Sequence, residues 1–214
     1  METLPARRTL PIGIQNLSKL KEQGCYYVDK TGLVVDLIGS GSYYFLSRPR
    51  RFGKSLLVDT FKELFEGNRA LFEGLAAEPR WDWSRRHPVI RIDLGQGEVR
   101  NRAELDQRLH EQIDDHVARL GVKLRHQSLS GRFGELIREA AQQAGQRTVV
   151  LVDEYDKPIL DNLGDPTIAA EMRDGRVAQV VQDGTRPSLR RCATVCAACT
   201  RCSRGRTRTS GSSS

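Results

Sequence analysis

The chain has 214 residues, 38% hydrophobic and 29% charged, with a formal net charge of +7. That length suits one α/β domain with a real core, and no run of about 18 apolar residues exists to cross a membrane. The basic excess is local. Of 34 basic and 27 acidic residues, eight Arg and one acid, Asp183, fall in 176–214, which leaves 26 of each sign in the first 175 residues. A nucleic-acid-binding role would therefore rest on the tail and not on the body. Cysteine divides the same way: Cys25 is alone in the body, while Cys192, Cys196, Cys199 and Cys202 are in the tail. One body cysteine suits a reducing compartment, and the N-terminus METLPARRTLPIGIQNL lacks the apolar centre of a secretory signal. The expected location is the cytoplasm.

Residues 1–28 read as an irregular entry segment ending in YYVDKT. A short helix is expected from DKTGLVVDLIGSG, with Leu33, Val34, Leu37 and Ile38 on one face. The run YYFLS, 43–47, predicts a buried strand. A helix follows from about Ser55 to Glu66, with Leu56, Leu57, Phe61, Leu64 and Phe65 at helical spacing and Gly67 ending it. HPVIRIDL, 87–94, is a second strand candidate. Asn101 and Glu104 form a capping box for a helix to Leu120, carried by Leu105, Leu109, Ile113 and Val117 and stopped at Gly121. A further helix is expected over about 132–144. TVVLVDEYDKPIL then holds the unbroken apolar run Val149–Val152 of a parallel strand covered on both faces. Strands alternating with helices predict a parallel α/β sheet.

Two motifs carry chemistry. The first is strand, loop and helix with Gly53-Lys54-Ser55 at the helix start. A helix N-terminus offers free N–H groups and the positive end of a dipole. Gly53 lets backbone approach a phosphate, Lys54 can reach the β- and γ-phosphates, and Ser55 can place its hydroxyl on Mg²⁺. The complete pattern G-x-x-x-x-G-K-S/T needs Gly at 48, where this chain has Arg48 followed by Pro49. The phosphate-facing donors lie late in such a loop, over Arg51, Phe52, Gly53, Lys54, Ser55 and Leu56, so the substitution falls at its less important end. The competing reading is a basic turn that contains GKS by chance. The second motif is VVLVDEYD, in which a strand delivers Asp153 and Glu154 at its C-terminal end, where open α/β sheets place ligands. Asp153 suits holding Mg²⁺ through water, and Glu154 suits orienting or deprotonating the attacking water. The competing reading there is an ordinary acidic loop. Both motifs at strand ends, about 100 residues apart, favour nucleotide binding over either coincidence.

With both motifs placed, the chain resembles a known family. YVDKT, FLSRPRRFGKSLLVDTFKELFEG and VVLVDEYDKPIL are similar to the AAA-ATPase-like family of bacteria and archaea, over about residues 8–175. The family comprises P-loop ATPases of the additional-strand, catalytic-glutamate class, often joined to a C-terminal domain similar to PD-(D/E)XK nucleases. It favours RPRRFGKS over the glycine-first loop, so Arg48 is its ordinary form. The resemblance implies a three-layer P-loop NTPase-like parallel sheet with flanking helices, with ATP and Mg²⁺ as cofactors. It implies phosphate binding by Gly53, Lys54 and Ser55, metal binding by Ser55 and Asp153, and Glu154 as catalytic base. Tyr27, Asp29 and Lys30 match its early YxDKT segment, with a role in packing on the nucleotide side or in structure.

The resemblance stops after EMRDG. The family continues there with an amphipathic helix and a strand, whereas RVAQVVQDGTRPSLRRCATVCAACTRCSRGRTRTSGSSS has no period of either kind. Its Arg, Ser, Ala, Gly and Cys content is that of GC-rich DNA read out of frame, and a one-base shift of possible codons permits the missing helix. The chain is thus expected to be truncated and shifted in frame after about 175, with 176–214 a disordered tail. It would lack the strand between those at 43–47 and 148–153, leaving a gap or a makeshift filler and an incomplete catalytic site. The spacing C-x₃-C-x₂-C-x₂-C over Cys192, Cys196, Cys199 and Cys202 is too crowded for a usual zinc site. The rivals to an ATP-binding domain are a non-enzymatic nucleic-acid binder acting through this tail, and an interaction role for the body.

Overall fold

The structure is a computed structural model and describes residues 9–41, 43–47, 52–162, 164, 165, 167 and 192–198. In chain order it contains α1 (Leu17–Glu22), α2 (Thr31–Ser40), β1 (Tyr43–Ser47), α3 (Lys54–Phe65), a 3-10 turn (Arg69–Phe72), β2 (Val89–Asp93), α4 (Arg102–Leu120), α5 (Leu129–Ala144), β3 (Thr148–Asp153), α6 (Lys157–Asp161) and β4 (Cys192–Ala198). The four strands form one sheet in the order β1-β4-β3-β2, parallel throughout. Helices and strands together make an α/β fold.

Alternation along the strands separates two cores. Val149 and Leu151 of β3, with Val89 of β2, pack against Leu17, Val34, Val58, Phe61, Leu64 and Phe65 of α1, α2 and α3. Val150 and Val152, with Ile90 and Ile92, pack against Leu105, Leu109 and Ile113 of α4 and Phe133, Leu136 and Ile137 of α5. Helices therefore cover both faces, and this is why every residue of β3 is buried. The helix ends follow the capping residues. The Asn101 side chain accepts from the Glu104 amide at 3.0 Å. The Glu104 carboxylate returns to the Arg100 amide at 2.9 Å, one residue earlier than a capping box places it. Helix α5 begins at Leu129 rather than near 132, because Ser128 caps the Gly131 amide.

Two differences from the expected pattern have simple causes. Residues 17–22 form a helix inside the entry segment, capped by Asn16, and six residues are too few to show a period. On α2 the buried positions are Thr31 and Val34, and Leu33 is 67% exposed.

The slot between β1 and β3 is filled. β4 runs parallel to both, with Val195 opposite Tyr44 on one side and Leu151 on the other. It is drawn from the stretch expected to be irregular; the remainder of 176–214, including Cys199 and Cys202, lies outside the described residues. A strand in this slot satisfies backbone groups on β1 and β3 that would otherwise be unpaired in the sheet interior.

The outer edge of β2 is closed by side chains of α4. Gln112 accepts from the Asp93 amide at 2.8 Å and donates to the Asp93 carbonyl at 2.9 Å. His116 Nε2 lies 3.1 Å from the Arg91 amide nitrogen and 2.7 Å from the Arg91 carbonyl oxygen. Arg119 donates to the Val89 carbonyl. Residues at 112, 116 and 119 share one helix face, and the outward backbone groups of β2 fall at 89, 91 and 93, so the two periods match. Burial pushes the His116 pKa down, with the Arg119 charge acting in the same direction.

Candidate functional site

The first half of the site is the start of α3. Gly53 caps this helix in the left-handed region, φ 71° and ψ 27°. A Cβ at this position would meet no atom within 4 Å, so the requirement for glycine is conformational and not steric. The first internal helical bond runs from the Leu57 amide to the Gly53 carbonyl at 3.0 Å. The amides of Lys54, Ser55 and Leu56 precede it, and no side chain caps this end. Lys54 is 8% exposed and Ser55 9%, which is unusual for a lysine. Leu56 packs against the α3-side core, and Phe52 is 63% exposed. Arg51, with Arg48, Pro49 and Arg50, lies outside the described residues.

The second half is the end of β3. Asp153 is 1% exposed. Its Oδ1 accepts from the Glu154 amide at 3.1 Å. Glu154 has φ 52°, and among the described residues it is the one non-glycine with positive φ. A left-handed glutamate costs about 1–2 kcal/mol, and such residues cluster at functional sites. The Lys157 amide donates to the Glu154 carbonyl at 2.9 Å and so ties the turn to α6. Gly95, after β2, leaves room for Glu154: a Cβ there would come within 3.1 Å of Glu154 Cγ and 3.0 Å of Asp93 Oδ1.

Because β1 and β3 run parallel, their C-terminal ends reach the same edge of the sheet. Gly53, Lys54 and Ser55 therefore open toward the edge that carries Asp153 and Glu154. Side chains link the two halves. Asp59 lies one helical turn after Ser55 on the same face of α3. Arg91 of β2 reaches Asp59 at 3.6 Å and Asp153 at 3.2 Å, with Asp93 at 3.9 Å. Asp59 is 1% exposed, and its Oδ2 accepts from the Leu17 amide at 2.7 Å. Burial pushes the Asp59 carboxyl up; the Leu17 hydrogen bond, Lys62 and Arg91 oppose that and Glu63 adds to it.

Arg91 and Asp59 are the site residues that sequence reasoning missed. Arg91 reads as the polar alternation of a strand and Asp59 as a polar position on a helix. The one available signal was that Arg91, Asp93 and Asp153 fall at alternate positions on the same face of adjacent strands.

The YxDKT segment, in contrast, is structural. Asp29 Oδ1 accepts from the Thr31 amide at 2.8 Å and the Thr31 hydroxyl at 2.7 Å, and its Oδ2 accepts from the Ala76 amide at 2.7 Å. Thr31, fully buried, accepts from the Ala77 amide at 3.0 Å. Burial of Asp29 works against its ionised form, but these hydrogen bonds and Lys21 outweigh it and lower the pKa. Lys30 is exposed at the α2 N-cap, and Tyr27 packs beside the α3-side core.

Among the described residues, no group of three or more His, Cys, Asp or Glu side chains is arranged to hold a metal ion. A Mg²⁺ bound by Ser55 and Asp153 would take its remaining ligands from phosphate and water, as Mg²⁺ commonly does. The donor set fits that use: an uncapped helix start, a buried lysine, a hydroxyl and a carboxylate. No helix of the described residues is long and apolar enough to cross a membrane.

The family described as Predicted AAA-ATPase, AAA-ATPase-like, matches residues 11–185. The chain is also 55% identical over 171 residues to a protein of Azotobacter chroococcum mcd 1, "Uncharacterized protein in vnfD 5'region", an alignment covering 79% of this chain and 33% of that protein. The chain thus spans about a third of the length of that relative. No solved structure matches. Both motifs, Arg91 and Asp59 fall inside the matched residues, and β4 falls outside them. The chain belongs to the AAA-ATPase-like family.

Proposed function

We propose that this domain binds ATP with Mg²⁺ as a P-loop NTPase-like, three-layer module. The observation that carries the reading is the left-handed Gly53 opening α3 with Lys54 and Ser55 buried, at the sheet edge where Asp153 and the strained Glu154 end β3. The amides from Gly53 to Leu56 and the Lys54 ammonium would hold the phosphates. Ser55 and Asp153 would hold Mg²⁺, which when bound offsets phosphate charge. Glu154 would accept the proton of an attacking water. Hydrolysis is incomplete in this chain on the same reading, because β4 stands where the resemblance implies a strand of the family and comes from outside the family match.

Titration of the full chain with a fluorescent ATP analogue tests this. Lys54→Ala should weaken binding by at least about tenfold, the worth of one charge-assisted contact. An unchanged affinity would mean that the site is misplaced. Glu154→Gln should leave binding intact and stop hydrolysis in a full-length relative. Nucleic-acid binding through the tail has no observation in its favour, since most of 176–214 lies outside the described residues.

A further inference from the structure

Arg91 holds a crowded ionic position between β2, β3 and α3. Its guanidinium stands among three carboxylates contributed by three elements: Asp153 of β3, Asp59 of α3 and Asp93 of β2. Two of these are almost wholly buried, at 2% side-chain exposure each, while Arg91 keeps 25%. The carboxylates differ in what else holds them. Asp59 also accepts from the Leu17 amide, and Asn16 Nδ2 approaches it at 3.4 Å. Asp153 has the Glu154 amide on one oxygen, and Arg91 takes the other. The Arg91 Nε is buried and has no hydrogen-bond partner. The guanidinium is thus hydrogen-bonded to Asp153 and ion-paired at longer range with Asp59, its Nε is unsatisfied, and it occupies the one oxygen of Asp153 that its own turn leaves open.

We propose that Arg91 is a positioning residue for divalent-cation binding: a resident counter-ion that Asp153 exchanges for Mg²⁺, while Asp59 keeps hold of the released guanidinium. The proposal rests on the nucleotide-binding reading above for the identity of the metal-side acid. A dication and a guanidinium cannot both lie against one buried carboxylate oxygen without strong repulsion. The competition between them sets how much Mg²⁺ the site needs. Exchange is favoured when phosphate arrives, because phosphate supplies further oxygen ligands to the ion. With no nucleotide bound, Arg91 keeps Asp153 from standing as an unpaired buried charge.

The test uses Mn²⁺ as the probe, followed by electron paramagnetic resonance on the nucleotide-free full chain. Arg91→Gln should tighten Mn²⁺ binding by at least about fivefold, since one positive charge is removed beside the ligand. Asp59→Asn should act in the opposite direction, by about threefold or more, because Arg91 then leans on Asp153 with one anchor fewer. The second variant is nearly isosteric and keeps an acceptor for the Leu17 amide, so it reports even if Arg91→Gln does not fold. Equal Mn²⁺ affinity in wild type and both variants would overturn the proposal and leave Arg91 a structural pair. In a parallel arm, affinity for the ATP analogue is compared with Mg²⁺ and with EDTA, and the gain due to Mg²⁺ should be larger in Arg91→Gln than in wild type by at least about threefold. Loss of metal-free binding there would overturn the proposal by placing Arg91 on phosphate. If Lys54→Ala leaves nucleotide affinity unchanged while the two Mn²⁺ shifts appear, the phosphate-loop reading fails and the exchange at Asp153 stands.

Discussion

Gly53 and Glu154 both occupy left-handed backbone at the same sheet edge, at very different cost. For Gly53 the conformation is free, so Gly53→Ala should lose about 1–2 kcal/mol of unfolding free energy although nothing crowds the added methyl. For Glu154 the strain is already present. Glu154→Gly should raise stability by roughly 0.5–1 kcal/mol, the strain relieved less the extra unfolded-state entropy of glycine, while removing the carboxylate. Urea titration of both variants checks the pair of signs. Thr31 gives a third residue-scale test: Thr31→Val keeps the volume but strands the buried Ala77 amide, at about 1–3 kcal/mol. Residue chemistry was legible in the sequence where it is local. Gly53-Lys54-Ser55 and Asp153-Glu154 announce themselves because adjacent residues share one job. Arg91 and Asp59 do not, because their meaning comes from apposition across elements far apart in the chain.

Elements were legible in proportion to their length. α3, α4 and α5 run about three to five turns and show their apolar period, and β3 shows its unbroken apolar run. α1, α6 and the 3-10 turn have six residues or fewer, which is not enough to distinguish a period from chance. β4 could not have been found by pattern, since its partners on both sides were needed to define it. The contact of α4 with the β2 edge gives an element-scale prediction. His116 has its pKa held below the usual 6.5 by burial. The unfolded chain therefore takes up the proton first as pH falls. The contribution of His116 is present above about pH 6.5 and is lost as pH drops through that value toward the folded pKa. His116→Gln should flatten the fall in urea midpoint between about pH 7 and pH 5.

For the whole molecule, the continuity of the sheet depends on β4, since β1 is joined to β3 only through it. Val195 pairs with a neighbour on each side. Val195→Pro should cost about 3 kcal/mol or more, as an interior strand proline removes a ladder hydrogen bond. Hydrogen exchange should then show lost protection in both β1 and β3, while the β2–β3 ladder and the α4–α5 core stay slow. Equal protection in wild type and variant would mean that β4 contributes nothing to cohesion. The covered edge of β2 also gives the sheet a direction of growth. With Gln112, His116 and Arg119 already bonded to its outward amides and carbonyls, β2 cannot template another strand. Among the described strands the other end of the sheet is β1, so a strand supplied by a longer relative, a second copy or a partner would be laid down there, on the side away from α4.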